Sequence, residues 1–225
     1  MTLQHVDIFF QIVAFLFAIS IHESAHAWMA SRCGDPTARM LGRVTLNPLR
    51  HIDPIGTVVL PALAMISGFP VIGWAKPTPV DPRNFRNPVR DDVLTSVAGP
   101  VSNFIVVLGS VAALAAISLT SASGNAVVKN LSSGFLTDVN GLMPLTLMVY
   151  EFMQINILLG IFNLIPVPPL DGSHVLRHLL PESIRNAYDR VGMLGIIVLM
   201  LFGGRFLGKL LFPVVSFFNA ILAKL

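Results

Sequence analysis

Charge is what this chain has least of. Lys, Arg, Asp and Glu make up 12% of its 225 residues, about half the share found in a soluble domain. So few charges cannot solvate a surface of that size. A soluble enzyme or a nucleic-acid-binding protein is therefore excluded as a class, and the net charge of +3 does not change that. Cysteine is almost as scarce. Cys33 stands alone, which excludes an internal disulfide and a Cys-based metal cluster and leaves packing as its expected role. There is no internal repeat, no low-complexity tract and no polar stretch long enough for a sizeable soluble domain. The N-terminal stretch lacks a basic leader region and a small-residue cleavage site. It is expected to be a membrane segment and not a cleaved signal.

What is present is apolar. Hydrophobic residues are 54% of the chain and the mean hydropathy is +0.73. Five regions, 6–28, 52–74, 93–119, 142–165 and 191–223, are long enough to address a bilayer, which takes about 20 apolar residues per helix. The second is interrupted by Pro54, Pro61, Gly68 and Pro70. The last is long enough for one tilted helix with an interfacial piece or for two short crossings, with the break at Gly203, Gly204 and Gly208.

The connections carry unequal charge. Arg32, Arg39, Arg43 and Arg50 fall in 31–51, Lys76, Arg83, Arg86 and Arg90 in 75–92, and Arg177, Arg185 and Arg190 in 171–190. Only Lys129 falls in 120–141. Basic loops stay in the cytoplasm, so the first three connections are expected inside and the fourth outside. Both ends of 52–74 are then basic. Either that region re-enters, as its prolines allow where protein or water covers the backbone, or it crosses as a kinked span against the charge rule.

The chemistry lies at the end of the first apolar run, in His22-Glu23-Ser24-Ala25-His26. Ionisable groups at membrane depth are costly unless they have a function. A spacing of four puts both imidazoles on one helix face with the glutamate beside them, an arrangement suited to zinc. A catalytic zinc takes three protein ligands and keeps one open position. The third ligand is expected to be Asp171, just past the fourth apolar region in Asn163-Leu-Ile-Pro-Val-Pro-Pro-Leu-Asp171-Gly172, because the charge-derived topology brings it to the same face as the histidines. Pro166, Pro168 and Pro169 stop the helix before it, and Gly172 permits a tight turn. Glu23 is free to take a proton from the attacking water and pass it to the leaving amine. Asn163 is near enough to polarise a carbonyl. Each signal alone has a plainer reading: an interfacial histidine pair, or an aspartate serving as a turn or cap.

Together these motifs resemble the site-2 protease family of intramembrane zinc metalloproteases, in its small prokaryotic form. Asn47-Pro48-Leu-Arg-His51-Ile-Asp53-Pro54, Gly73-Trp-Ala-Lys-Pro77 and Ala98-Gly99-Pro100-Val-Ser-Asn103 extend the resemblance over most of the chain. It implies that His22, His26 and Asp171 bind a zinc ion, that Glu23 is the general base and that Asn163 assists at the substrate carbonyl. It also implies cleavage within or near the transmembrane segment of a single-span membrane protein, at the cytoplasmic side of a prokaryotic plasma membrane. The partners are then substrate and lipid bilayer, with no nucleic acid. No large insertion separates the motifs, so the peptide-binding PDZ insertion of some relatives is absent.

The expected fold is an all-α polytopic membrane protein, one domain over 1–225. Its bundle has about five to six membrane segments, with a small extended or re-entrant element near the cytoplasmic side. Gly99 and Asn103 mark a helix that packs closely on its neighbours. Residues 45–48 and 76–80 read as extended, either to pair with an unwound substrate backbone or as a structural ribbon. His174 and His178 either share a polar interfacial face or join Asp171; His51 is a candidate for orienting a loop. Metal transport is the rival function and predicts a continuous polar path, whereas the outer halves of the segments read as almost wholly apolar.

Overall fold

The computed structural model describes residues 3–59, 75–135, 141–202 and 204–225. Among them are eight α-helices: α1 (Leu3–Cys33), α2 (Thr37–Met40), α3 (Pro88–Thr120), α4 (Ala122–Ser132), α5 (Met143–Asn163), α6 (Asp171–Leu179), α7 (Glu182–Phe202) and α8 (Gly204–Ala223). No strand occurs among the described residues. Four helices are long and apolar enough to cross a membrane: His5–Cys33, Pro88–Thr120, Met143–Asn163 and Phe206–Ala223. The protein is thus an all-α polytopic membrane protein, with four such spans described where five to six were expected. Most of the second apolar region, and with it the choice between crossing and re-entry, lies outside the described residues. Its start, Pro54–Val59, winds into a π-helical turn. Of the glycines expected to break the last region, Gly203 lies outside the described residues, and Gly204 and Gly208 lie within α8. An additional kink at Gly192 (φ 36°, ψ −129°) had no signal beyond the glycine itself.

The bundle places side chains as a bilayer requires. On α1, Ala14, Ala18, Ala27 and Ala30 are fully buried, while Phe9, Ile12 and Phe17 are exposed. Ile105 and Leu108 on α3 and Phe212 and Phe217 on α8 also point outward. Small residues inside let helices approach, and large apolar ones face lipid at no solvation cost. α1, α3 and α5 pack against one another pairwise. At Gly160 of α5 a Cβ would stand 3.1 Å from the Phe104 ring and 3.4 Å from Asn103 Cβ, so a larger side chain would push α5 off α3. Cys33 packs with Ala30 and Phe85, in the role expected of it.

The start of α3 is fixed locally. The Asn87 side chain caps the Arg90 N–H (3.2 Å), the Asn87 N–H donates to the Asp91 carboxylate (2.8 Å), and Pro88 occupies the first turn, where its missing N–H costs nothing. The incoming chain, 75–87, is held by side chains. Buried Asp35 accepts from the N–H groups of Thr37 (3.1 Å) and Asp81 (2.8 Å), from Asn84 Nδ2 (2.9 Å) and from the Thr37 hydroxyl. Arg43, also buried, donates to the carbonyls of Arg50 (2.6 Å), Lys76 (3.5 Å) and Pro77 (3.4 Å). The segments expected to be extended are irregular and form no ladder. The one N–H of 76–80 that turns toward this region, that of Lys76, bonds the His51 carbonyl (2.8 Å), beyond the first segment, and Pro77 and Pro79 have no N–H to offer.

The end of the bundle away from the histidines is more polar inside than its sequence suggested. Gln11 donates to Asp7 (3.2 Å), Gln154 to the Tyr150 hydroxyl (2.7 Å), and Tyr150 to Asn219 of α8 (3.2 Å). Glu151 is buried beside them. These residues were overlooked because each is isolated in an apolar run, and only packing assembles them.

Candidate metal centre

His22 and His26 are one turn apart near the end of α1, and Asp171 opens α6. Their donor atoms converge. His22 Nε2 lies 3.0 Å from His26 Nε2, and the Asp171 Oδ2 lies 3.1 Å and 3.3 Å from these two nitrogens. Both histidines are buried. Their opposite ring nitrogens are already committed. His22 Nδ1 donates to Asn103 Oδ1 (2.7 Å) and His26 Nδ1 to the Thr95 carbonyl (2.7 Å). A carbonyl can only accept, so both Nδ1 atoms carry the proton, and in the neutral imidazoles that bind a metal both Nε2 atoms turn lone pairs toward the carboxylate. The buried Oδ2 receives no well-formed hydrogen bond. Three electron-pair donors held this close repel unless a cation lies among them. The two-nitrogen, one-oxygen set fits zinc, with a coordination position left over.

The surroundings are built for this. A Cβ at Gly99 would strike both imidazole rings, with His22 Cε1 and His26 Cε1 each 2.6 Å away, so α3 presents bare backbone to the histidine pair. One turn further, Asn103 passes the contact on, its Nδ2 donating to Asn156 Oδ1 (2.7 Å), whose own amide donates to the Phe152 carbonyl (2.7 Å). Asn103 and Asn156 are both fully buried. Beside Asp171, a Cβ on Gly172 would meet the Leu164 carbonyl carbon at 2.6 Å and the Ile165 oxygen at 2.9 Å; only glycine lets α6 start this close to the end of α5.

The other singled-out residues are placed as follows. Glu23 lies beside the pair, and its carboxylate Oε2 accepts from the Thr78 N–H (2.9 Å) and hydroxyl (2.7 Å). Asn163 is the last residue of α5, and its Nδ2 donates back to the Leu159 carbonyl (3.0 Å). His174 and His178 do not join Asp171. They turn to Asp92 of α3, His174 Nδ1 at 3.2 Å and His178 Nε2 at 2.7 Å. The hydrogen bond to Asp92 raises the His174 pKa against the effect of burial. Arg177 pairs with Asp189 of α7 through Nε (2.9 Å) and Nη2 (3.0 Å). α6, which carries Asp171, is thus fastened on both sides. His51 is buried and donates through Nε2 to the Thr45 carbonyl (2.9 Å), orienting its loop. Sequence reasoning missed Thr78, Asp92, Thr95 and Asn156. Thr95 acts through its carbonyl and carries no residue signal at all. Asn156 carried one, a lone amide in an apolar helix.

Comparison with known proteins agrees with this chemistry. The model of peptidase family M50 matches residues 10–203. YwhC of Bacillus subtilis, named as a zinc metalloprotease, is 35% identical over 189 residues, 84% of this chain and 77% of YwhC. Rip2 of Mycolicibacterium smegmatis, also named as a zinc metalloprotease, is 28% identical over 204 residues, 88% of this chain and 70% of Rip2. No solved structure matches the chain.

Proposed function

This chain belongs to peptidase family M50 and is a zinc metalloprotease of the membrane, and from that premise we propose that it cuts a peptide bond within or near the transmembrane segment of a single-span membrane protein. One observation carries the reading: the donor atoms of His22, His26 and Asp171 lie 3.0–3.3 Å from one another, with both histidines on a membrane-crossing helix and Glu23 alongside. His22, His26 and Asp171 would hold the ion. When bound, zinc supplies Lewis acidity to water and to the scissile carbonyl. Glu23 is not needed to hold a metal, so its presence favours hydrolysis over transport. Its free carboxylate oxygen takes the proton of the attacking water and returns it to the leaving nitrogen. Asn163 steadies the developing oxyanion, which requires its amide to leave the Leu159 carbonyl.

The site opens toward the cytoplasm of a prokaryotic cell in this reading, because α1 ends, α3 begins and α5 ends at the basic connections. Residues 1–225 act as one membrane-embedded unit, with the bilayer as its solvent. A transmembrane helix hides its backbone in its own hydrogen bonds, so substrates are expected to carry a helix-weakening residue near the cut.

The test uses wild type and Glu23→Gln, both purified in detergent and loaded with zinc, against a panel of single-span segments. Wild type is expected to cleave within a span, while Glu23→Gln keeps its zinc and cleaves none. Cleavage by Glu23→Gln at the wild-type rate removes Glu23 as the base. Absence of cleavage by both, with zinc bound in both, favours metal transport.

A further inference from the structure

Residues 75–81 cross over the motif end of α1, and Thr78 hydrogen-bonds Glu23. Its N–H reaches Oε2 at 2.9 Å and its hydroxyl reaches the same oxygen at 2.7 Å. The hydroxyl also lies 3.0 Å from the Glu23 carbonyl, but it has one proton, and the charged, nearer oxygen is the better acceptor. Among the described residues, Oε1 receives no hydrogen bond. Among the described residues the two carboxylate oxygens are therefore unequal: one is clamped and one takes no hydrogen bond.

The clamp is held rigidly. Pro77 and Pro79 flank Thr78 and restrict its backbone before any contact forms. Upstream, Arg43 grips the Lys76 and Pro77 carbonyls and the Lys76 N–H is bound to His51. Downstream, the Asp81 N–H is bound to Asp35. Within 76–79 every main-chain N–H that exists already has an acceptor. This segment cannot lend an N–H to a substrate strand without releasing His51 or Glu23. That outcome favours the structural alternative over substrate pairing for 76–79.

We propose that Thr78 is the positioning residue of the general base, fixing Glu23 through Oε2 so that Oε1 alone faces the reacting water. This rests on the reading of Glu23 as the base. A carboxylate on a three-bond stem otherwise samples several rotamers, and loss of alignment by a fraction of an ångström to 1 Å is enough to slow proton transfer severely. A clamp made by a backbone N–H and a hydroxyl leaves zinc binding untouched, since neither group contacts His22, His26 or Asp171.

The experiment compares wild type, Thr78→Val, Thr78→Ser and Glu23→Gln as full-length, zinc-loaded proteins. It measures zinc content, kcat and KM on single-span segments carrying an Asn-Pro step, and the infrared carboxylate stretch assigned by the wild-type minus Glu23→Gln difference. Thr78→Val is expected to keep its zinc and its KM within about two-fold while kcat falls about 10- to 100-fold, with the Glu23 band displaced. Thr78→Ser is expected to restore both the rate and the band. An unchanged kcat with an unmoved band in Thr78→Val overturns the proposal, as does loss of zinc by Thr78→Val, which makes the contact a structural tie. If no segment is cut even by wild type, the band alone decides in the same way. Full activity in Glu23→Gln overturns the base assignment instead, and the band still reports whether Thr78 holds the carboxylate.

Discussion

Asn103 shows how much of this centre lies behind its ligands. It holds the His22 ring by Nδ1 and is itself held by Asn156, so the ring direction is set two residues deep into the bundle. Outer partners of this kind are worth about 10- to 100-fold in metal affinity. Asn103→Leu is expected to weaken zinc binding by about that factor in a chelator-competition titration, and Asn156→Leu by less, because it acts through Asn103. Equal affinity in Asn103→Leu and wild type would detach the amide pair from the metal site. The three candidate ligands were legible from spacing: two histidines four positions apart, and an aspartate after a proline-broken helix. Asn163 was legible only as a position, since nothing in the sequence tells that its amide folds back on Leu159. Thr78 lay inside a segment read correctly as non-helical, but a threonine between two prolines gives no hint of its acceptor.

At the scale of elements, the approach to α3 hangs on Asp35, which ties 35–37 to 81–84. Burial alone pushes the Asp35 carboxyl up, but hydrogen bonds from Thr37, Asn84 and Asp81 outweigh it and hold the pKa below the usual carboxylate range. A depressed folded-state pKa means that Asp35 stabilises fully above its unfolded value, about 3.9, and loses that contribution as pH falls through the folded value. Asp35→Asn keeps one acceptor oxygen but turns an NH2 toward at least one of the four donors, and is expected to cost about 1–3 kcal/mol. Thermal unfolding of the pair in detergent should show a constant gap from pH 8 down to about 4, closing only below that. A gap that varies between pH 5 and 8 would assign it to another group. The helix end before Asp171 was legible from its prolines; the Asp35 knot was not, because the donors from Asp81 and Asn84 belong to a segment whose path the sequence does not encode locally.

At the scale of the molecule, three helices that end or begin at the same side bring residues 22, 26 and 171 to one point. Hydropathy and loop charge were enough to foresee that convergence, since a helix crossing a bilayer has only two ends. They were not enough to foresee the polar contacts at the far end of α1, α5 and α8, or the kink at Gly192, which depend on side-chain packing. The central claim is that His22, His26 and Asp171 together bind zinc. X-ray absorption at the zinc edge, on wild type, Glu23→Gln and Asp171→Ala, tests it most directly. The account predicts one zinc per chain with nitrogen and oxygen neighbours at about 2.0–2.1 Å in wild type and Glu23→Gln, and loss of the ion in Asp171→Ala. Stoichiometric zinc with an unaltered spectrum in Asp171→Ala, or a sulfur neighbour at about 2.3 Å, would contradict it.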